Sequence, residues 1–420
     1  MKRKTMALVL SSLMLVMAAL TGCSSSNKDS SESAGGSDKQ VTLNVWGMGE
    51  EAKSLPKIAE DFEKENPNIK IKVQALPWDT AHDKLLTAVA SKQGPDVLQL
   101  GTTWVPEFGS AKALMDIAPM LDQYPELKPD NFYPGSINTT KFDGATIGVP
   151  WYVDTRVLYY RTDILQSVGY NEAPKTWDEL KDAATKLKAR GGDKYGISLD
   201  TKEQSLAFMF ARQNGSKLLD GNKPLFNEAP FVEAVDYLNG FFKEELAPID
   251  LGMDIIPAFR DDAITPMFIS GPWMVKIIND QAPELEGKWA TAVLPKKENN
   301  ISALGGSNLT VFQYTKHKDE AMKFLAYMSK PETQLKWMEL TNSLPAAKEA
   351  WNSDVLKNNK NYKVFGDQME HSEPMPMIKP YEALSQKFLS TFEQIYRANA
   401  NVQDEMNKYN KEAEDILNNK

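Results

Sequence analysis

The stretch VTLNVWGMGEEAKSLPKIAEDFEKENPNIKIKVQA, residues 41–75, decides the fold class. Its first residues alternate between apolar and polar, which is typical of a half-buried strand. A segment with Leu55, Ile58 and Phe62 on one face follows, and it stops before Pro67, as helices do. Alternation resumes at Ile69. The stretch therefore predicts a strand, a helix and a second strand.

The residues that follow extend this alternation of elements. A second helix is predicted from about Thr80 to Ser91, and DVLQLG at 96–101 has the pattern of a short buried strand. Strands that alternate with helices predict a parallel, doubly wound sheet. Ligands bind such sheets outside the carboxyl ends of the strands. Here those ends carry WGMGE at 46–50 and GTTW at 101–104.

A second unit is predicted from about residue 148. It begins with a strand, VLYYR, and continues with a helix that a capping box opens at Thr176. The predicted elements are the strand 157–161, a helix from 176 to about 190, the strand 195–199, helices over 204–213 and 229–245, and a long amphipathic segment over about 383–417. Trp177, inside the capping box, is expected to be structural.

The N-terminus has the pattern of a secretory signal peptide. Met1–Lys4 is cationic and Met6–Leu20 is almost wholly apolar, but too short to span a bilayer as a permanent helix. Leu20-Thr21-Gly22-Cys23 resembles the bacterial lipobox, which implies cleavage before Cys23 and attachment of diacylglycerol to its sulfur. The alternative is an ordinary signal peptide with an incidental cysteine.

The segment Ser24–Lys39 is polar and has no apolar stripe. Such a composition buries too little apolar surface to fold, so we expect a disordered tether with a reach of roughly 20–25 Å. Residues 1–22 are therefore predicted as a lipoprotein signal peptide and residues 23–39 as the lipidated cysteine and its tether. The expected protein is exported and anchored by lipid to the outer face of the cell membrane.

Composition excludes several classes of function. The net charge is −9 without a basic run beyond the signal peptide, which argues against nucleic acid as a partner. Cys23 is the only cysteine and the three histidines are widely spaced, so no metal site, cofactor or catalytic residue is expected. Almost 400 residues after cleavage are too many for one core and predict two domains.

Six motifs occur in the order found in extracellular solute-binding proteins of family 1. They are WGMGEE (46–51), GPDVLQLGTTWVPEF (94–108), KFDGATIGVPWYVDTRVLYYRTDIL (141–165), FISGPWMVK (268–276), LGGSNLTVF (304–312) and SLPAAKEAW (343–351). The chain thus resembles the sugar receptors of bacterial ABC importers, of which maltose-binding protein is the familiar member. The resemblance runs from about Val41 to the C-terminus, and it rests on the joint order and spacing of the motifs.

The resemblance implies a two-lobed periplasmic-binding-protein-like α/β fold of type II. Each lobe would be a mainly parallel sheet flanked by helices, with the ligand cleft between the lobes. Carried onto this chain, lobe 1 would hold 40–148 plus 303–344 and lobe 2 would hold 149–302 plus 345–420. The implied partners are an oligosaccharide and the permease subunits of an ABC transporter, with the chain itself a monomer.

Asp154 and Trp273 are the leading candidates for contacts to a sugar. Sugars offer hydroxyls that need polar partners and ring faces that suit aromatic side chains. The family places a sugar-binding carboxylate at the position of Asp154 and a stacking tryptophan at that of Trp273. Asp154 has the alternative of a turn or N-cap role. Arg156 either clamps the ligand or pairs with Asp154 and holds it in place.

Further candidates come from strand ends and from loops that the family directs at the cleft. They are Trp46, Glu50, Trp78, Trp104, Tyr152, Ser307, Asn308 and Tyr381. Packing of the core or of a helix start is the alternative for Trp78 and Trp104. Some family members have an Asp-Lys pair where this chain has Glu50-Glu51, and the maltodextrin binders have an Asp-Arg pair that GTTW lacks. These departures leave the identity of the sugar open.

Two other functions are compatible with aromatic and acidic residues in a cleft. A lipid-anchored glycoside hydrolase would need two carboxylates about 5 Å apart for retention or 6.5–9.5 Å apart for inversion. A solute-binding protein for a polyamine, iron or phosphate would use the same fold. The many aromatic residues, without a cluster of metal ligands, favour a sugar over these.

Overall fold

The computed structural model describes residues 40–49 and 51–418. The described chain belongs to one compact unit that begins at Gln40. The predicted signal peptide, the tether with Cys23, and Glu50 lie outside the described residues. Within them, no helix is both long enough and apolar enough to cross a membrane.

The described chain contains fourteen short strands. They are β1 (Val41–Met48), β2 (Ile69–Leu76), β3 (Val97–Gly101), β4 (Lys141–Phe142), β5 (Ala145–Thr146), β6 (Val149–Thr155), β7 (Val157–Arg161), β8 (Leu219–Asp220), β9 (Lys223–Pro224), β10 (Met267–Ser270), β11 (Trp289–Ala292), β12 (Ser302–Val311), β13 (Leu344–Pro345) and β14 (Ser372–Pro374).

Helices make up most of the rest of the described chain. They are α1 (Leu55–Glu65), α2 (Trp78–Ser91), α3 (Val105–Ser110), α4 (Pro134–Asn138), α5 (Thr162–Ser167), α6 (Trp177–Lys188), α7 (Leu206–Gln213), α8 (Ala229–Lys243), α9 (Ile255–Arg260), α10 (Trp273–Gln281), α11 (Lys318–Ser329), α12 (Pro331–Thr341), α13 (Asp354–Lys357), α14 (Lys360–Met369), α15 (Tyr381–Ala398) and α16 (Val402–Asn418).

The larger sheet has the strand order β13-β6-β12-β3-β1-β2, and β14 pairs with β12. β1 and β2 run parallel over their whole length. The helix between them, α1, buries Leu55, Ile58 and Phe62, and Asn66 caps its C-terminus before Pro67. The predicted strand–helix–strand unit is thus confirmed, and so are the second helix and the strand at 97–101.

The smaller sheet has the order β10-β7-β11, and both neighbours run antiparallel to β7. The expectation of a mainly parallel sheet in each lobe is therefore wrong for this one. In the larger sheet, β12 is also antiparallel to β3 and β6. Parallel pairs need a crossover of a dozen or more residues. β7 instead follows β6 after a single residue, and its two neighbours return in the opposite direction.

Two further elements differ from the sequence expectation. Residues 195–199 form no strand, and only Ser198 makes a bridge, parallel to Phe268. The C-terminal amphipathic segment is two helices, α15 and α16, because Asn399 adopts a left-handed conformation with φ 55°. The capping residue Thr176 does accept a hydrogen bond from the Glu179 amide, at 3.2 Å.

Trp177 has the structural role expected from its place in the capping box. Its side chain is buried, and Nε1 donates to Gln213 Oε1 at 2.8 Å. The ring stacks on Tyr237 with centroids 4.3 Å apart. These contacts belong to the apolar core around α6, α7 and α8.

The junction between the two sheets positions the candidate site. β6 ends at Thr155 in the larger sheet and β7 begins at Val157 in the smaller one, so Arg156 alone connects them. β12 pairs with β14 at its start and with β6 and β3 further along. The side chains of residues 152–156 therefore lie where the two sheets meet. The lobe boundaries given above stay a prediction.

Candidate ligand-binding site

Two neighbouring cavities lie at this junction, and Asp154 lines both. The larger has a volume of about 320 Å³, with Trp78 and Trp273 among its lining residues. The smaller, of about 130 Å³, is lined by Asp154, Arg156, Glu203 and Tyr381, among others. The structure thus brings together predicted residues from β6, α2, α10 and α15.

Arg156 holds two carboxylates in place. Its Nη1 donates to Asp154 Oδ1 at 2.6 Å, and its Nε and Nη2 donate to Glu203 Oε2 at 3.0 and 2.9 Å. Burial opposes the charge of the guanidinium, but the two carboxylates outweigh it and raise the pKa of Arg156. Of the two roles considered for Arg156, pairing with Asp154 is the one the structure shows.

Glu203 keeps its negative charge at this site. Burial would raise the pKa of its carboxyl, but the Arg156 charge and hydrogen bonds from Ser205 lower it below its usual value. The Ser205 hydroxyl donates to Glu203 Oε1 at 2.6 Å. The three charged side chains thus carry one excess negative charge at the wall of the smaller cavity.

Trp273 is the first residue of α10, and its side chain is 40% exposed. The Arg156 guanidinium lies 5.0 Å from the centre of its ring, within the range of a cation–π contact. The indole also covers Gly271, where any Cβ would collide with the ring. Gly305 serves Asp154 in the same way, since a Cβ there would lie 2.7 Å from Asp154 Oδ1. Both glycines leave room for a side chain of the site.

Tyr152 and Ser307 belong to one hydrogen-bonded cluster. The Ser307 hydroxyl donates to the Tyr152 hydroxyl at 3.1 Å, and Gln99 Nε2 donates to both oxygens. Tyr152 lines the larger cavity, whereas Ser307 is fully buried behind it. The structure therefore gives Ser307 the role of holding the Tyr152 side chain, not the predicted direct contact with ligand.

A second aromatic group contributes Trp78 to the lining of the larger cavity. Trp78, 37% exposed, packs edge-on against Trp104 with ring centroids 5.4 Å apart. Trp104 in turn packs against His82, whose Nε2 lies 2.7 Å from Glu107 Oε2. Of the two tryptophans, only Trp78 lines the larger cavity, and Trp104 packs against the Trp78 ring.

Tyr381 lines the smaller cavity, and its hydroxyl is buried. Its side chain is 3% exposed, and among the described residues the hydroxyl has no hydrogen-bond partner. Burial raises the pKa of this hydroxyl, which therefore stays protonated. A buried hydroxyl without a partner is costly and is usually satisfied by a bound molecule or water.

Besides Trp104 and Ser307, two further predicted contacts line neither cavity. Trp46 lines neither, and the Lys84 ammonium covers its ring at 4.9 Å from the centroid. The predicted ligand contact fits Asn308 least. Its side chain is 1% exposed, and its Nδ2 donates to the Thr139 carbonyl at 3.0 Å. An amide used in this way holds β12 to α4 and is out of reach of a ligand. Glu50 lies outside the described residues.

Sequence reasoning missed several residues that line the cavities. Glu203 does not directly follow the predicted strand 195–199, and it lies outside the six family motifs, so neither signal selected it. Asn342 and Ser343 line the larger cavity at the C-terminus of α12, where Asn342 is left-handed with φ 60°. Among the described residues, no group of three or more metal-ligating side chains is found.

Comparisons with known proteins identify the family of the chain. The family model described as bacterial extracellular solute-binding protein matches residues 47–335. A putative binding protein of Brucella abortus is 27% identical over 352 residues, which cover 81% of this chain and 84% of that protein. The arabinooligosaccharide-binding protein of Bacillus subtilis is 24% identical over 365 residues, covering 83% and 82%.

Solved structures share the fold. The sugar-binding protein MalE of Xanthomonas citri is 33% identical, with a TM-score of 0.86 over 90% of this chain and 97% of that one. This likeness confirms the predicted two-lobed α/β fold. The family and these relatives are binding proteins rather than enzymes. With the family model matching well over half of its length, the chain belongs to the bacterial extracellular solute-binding proteins.

Proposed function

We propose that this protein is a carbohydrate receptor that delivers an oligosaccharide to a bacterial ABC importer. The relatives named for arabino-oligosaccharides, and the sugar-binding MalE, support a sugar as the ligand class. The observation that carries the proposal is the shared position of Asp154. It lines both cavities, it is held by Arg156, and it shares the larger cavity with Trp273.

Each side chain at the junction has a distinct role in this proposal. Asp154 accepts hydrogen bonds from sugar hydroxyls through the oxygen that Arg156 does not use. Trp273 and Trp78 offer apolar faces to sugar rings in the larger cavity. Tyr381 donates its unpartnered hydroxyl to the ligand in the smaller cavity. Arg156, Glu203 and Ser307 act as positioning residues.

Binding between the two sheets couples the ligand to closure. A sugar that touches Trp78 beside one sheet and Trp273 beside the other binds the closed arrangement better and shifts the population toward it. The closed form is then the one that two permease subunits recognise. The chain has no nucleotide-binding motif, so the energy for import comes from separate ATPase subunits.

We also propose attachment to the membrane through a lipid on Cys23. The support is the lipobox-like sequence at residues 20–23 and the polar tether that follows. The tether keeps the receptor near its permease while leaving the cleft accessible to solutes outside the cell.

Hydrolysis of the sugar fits this site poorly. An acid–base glycosidase needs one carboxyl with a raised pKa that donates a proton to the leaving oxygen. Here Asp154 and Glu203 both bind the same guanidinium, and the pKa of Glu203 is lowered. Both carboxylates are thus suited to accepting hydrogen bonds.

The test is calorimetric binding of arabino-, galacto- and malto-oligosaccharides to the chain from Val41 onward. The Trp273→Ala variant should lose at least tenfold in affinity for the sugar that binds, equivalent to ~1.4 kcal/mol. The matched control is Tyr314→Ala, because Tyr314 is also 40% exposed but lines neither cavity.

If Trp273→Ala and Tyr314→Ala changed the affinity equally, Trp273 would not be part of the binding site. Binding of none of these sugars, together with binding of a polyamine or another non-sugar solute, would overturn the carbohydrate assignment. Release of reducing sugar would instead support the hydrolase alternative.

A further inference from the structure

β3 carries a polar side chain, that of Gln99, at the middle of an otherwise apolar buried strand. The strand is buried along its whole length, and Gln99 is 0% exposed. A buried amide is costly unless its oxygen and its nitrogen are both hydrogen-bonded. Gln99 was not among the contacts predicted from the sequence, so its role has to be inferred from its partners.

The partners of Gln99 fix the orientation of its amide. The Met48 backbone N–H donates to Gln99 Oε1 at 2.7 Å. Because a backbone N–H can only donate, the carbonyl end of the side chain must face Met48. The NH₂ end, which also can only donate, then faces two hydroxyls. Its Nε2 donates to Tyr152 Oη at 3.0 Å and to Ser307 Oγ at 3.1 Å.

This orientation determines the direction of the hydrogen bonds at the two hydroxyls. Ser307 Oγ accepts from Gln99 and donates to Tyr152 Oη at 3.1 Å. The Tyr152 oxygen thus accepts two hydrogen bonds, one from Gln99 and one from Ser307. An oxygen that already accepts twice contributes its proton, and not a lone pair, to any further hydrogen bond. The cluster therefore sets the Tyr152 hydroxyl as a donor.

A β-bulge brings Tyr152 to this cluster. Ser307 of β12 lies opposite Tyr152 of β6. The next residue of β12, Asn308, lies opposite Pro150, so β6 contains one extra residue at this point. Such bulges change the direction of a side chain and are frequent next to functional sites. Gly306 permits the close approach of the strands, because its φ is 120° and a Cβ there would lie 2.3 Å from the Tyr152 carbonyl oxygen.

We propose that Gln99 is a positioning residue that makes the Tyr152 hydroxyl a hydrogen-bond donor to the ligand in the larger cavity. This inference rests on the proposed function and adds the direction of one hydrogen bond. Tyr152 and Asp154 line the same cavity, which therefore presents a donor and an acceptor. A sugar hydroxyl both donates and accepts and so matches the pair. An ammonium group of a polyamine has no acceptor to offer Tyr152.

The first readout is a double-mutant cycle measured by calorimetry. Arabino-, galacto- and malto-oligosaccharides are titrated into the purified full-length protein. Tyr152→Phe should weaken the sugar that binds by about fivefold, as expected for the loss of one hydrogen bond. Gln99→Met should weaken it by about threefold. In the Tyr152→Phe background, Gln99→Met should have no further effect, because Gln99 acts through the Tyr152 hydroxyl.

The matched control is Gln368→Met. Gln368 is also 0% exposed, and its Oε1 accepts the Leu294 amide at 2.8 Å. Its Nε2 donates to the Asn300 carbonyl at 2.9 Å, and it lines neither cavity. This variant should bind the sugar as the natural sequence does. It also shows how much stability the loss of a buried glutamine costs.

A second variant keeps the test decisive if Gln99→Met folds poorly. Ser307→Ala removes one of the two donors to Tyr152 and leaves the bond between Met48 and Gln99 in place. It should weaken binding by about twofold. In the Tyr152→Phe background this effect should also disappear.

The second readout needs no ligand. The Raman spectrum of tyrosine contains a doublet whose intensity ratio depends on whether the phenol oxygen donates or accepts hydrogen bonds. The chain has 14 tyrosines, so the Tyr152 contribution is obtained by subtracting the spectrum of Tyr152→Phe in each background. Gln99→Met should reduce the acceptor character of this contribution, because the oxygen loses one of its two donors. Gln368→Met should leave it unchanged.

The two readouts separate this inference from the proposed function. Gln99→Met and Ser307→Ala effects that persist in the Tyr152→Phe background would overturn the role of Gln99 and leave the carbohydrate receptor standing. A Tyr152 Raman contribution that Gln99→Met does not change would do the same. If the natural sequence bound none of the sugars, the proposed function and a donor role toward a sugar would both be wrong.

Discussion

Two carboxylates share one guanidinium at the centre of the cleft. Arg156 donates to Asp154 and to Glu203, and Trp273 covers the face of the same group. Removal of one member would leave a partly buried charge without its partner, which is usually far more destabilising than losing an exposed pair. The orientation of Asp154 toward the ligand thus depends on residues that do not contact the ligand themselves.

Low pH should reduce the stability of the folded chain because Glu203 becomes protonated. Because the pKa of Glu203 is lower in the folded chain than its usual 4.5, the unfolded chain binds the proton first as pH falls. The stability that Glu203 contributes is complete above about pH 4.5 and is lost as pH drops through its folded pKa. The loss for one proton is at most about 1.4 kcal/mol per pH unit.

Urea unfolding between pH 3 and pH 7 measures this effect in the natural sequence and in Glu203→Gln. The difference in unfolding free energy should be largest near neutral pH and shrink in acid. The exposed Glu349→Gln serves as the control and should follow the natural sequence throughout. A difference that grows in acid would contradict the sign of the argument.

Single residues were predictable where a sequence pattern places them at a strand end or before a helix. Trp78, Trp273 and Tyr381 each begin a helix directly after a proline, and all three line a cavity. Asn308 follows the same family pattern, but β12 is buried on both faces at this point, and Thr139 binds the Asn308 amide. Burial of both faces depends on what packs against the sheet, which the sequence of one strand does not specify.

At the level of elements, three residues, 399–401, separate the last two helices, and the first of them is left-handed. Asn399 has φ 55° and ends α15, after which α16 packs back through contacts such as Phe388 with Tyr409. Asparagine adopts this left-handed conformation more readily than most other residues that carry a Cβ, such as alanine. Glycine adopts it most readily of all.

Substitution of Asn399 should show this preference. Asn399→Ala should lower the free energy of unfolding by about 1 kcal/mol, whereas Asn399→Gly should be neutral within about 0.5 kcal/mol. Urea unfolding with unchanged m-values measures both. An Asn399→Ala variant as stable as the natural sequence would show that the turn does not require the left-handed conformation.

Element types were predictable from periodicity, whereas strand directions were not. The pattern over residues 41–75 contains everything needed for β1, α1 and β2, because these elements pair with each other. The antiparallel direction of the smaller sheet depends on partners about a hundred residues away, such as Phe268 opposite Tyr159. Residues 195–199 have a strand pattern, yet a single bridge to Phe268 is all that forms.

For the whole molecule, the N-terminal sequence predicts attachment to the membrane through a lipid on Cys23. Cells that express the full chain and grow with radiolabelled palmitate should incorporate label into the protein. The Cys23→Ser variant should lose the label completely and move from the membrane fraction to the soluble fraction. A variant that keeps the label would show that Cys23 is not the site of the lipid, without affecting the assignment of the binding site.

The pairing of β3 with β12 has a consequence during synthesis. Gln99 and Ser307, which bond across these strands, lie 208 residues apart in the chain. At ribosomal speeds of about 5–20 residues per second, β3 waits roughly 10–40 s for its partner. During that time one edge of a central strand, whose residues are all buried in the folded chain, is available to other nascent chains. Because β3 is synthesised long before β12, its edge stays unpaired during this interval. A chaperone then has to cover the edge until β12 is available.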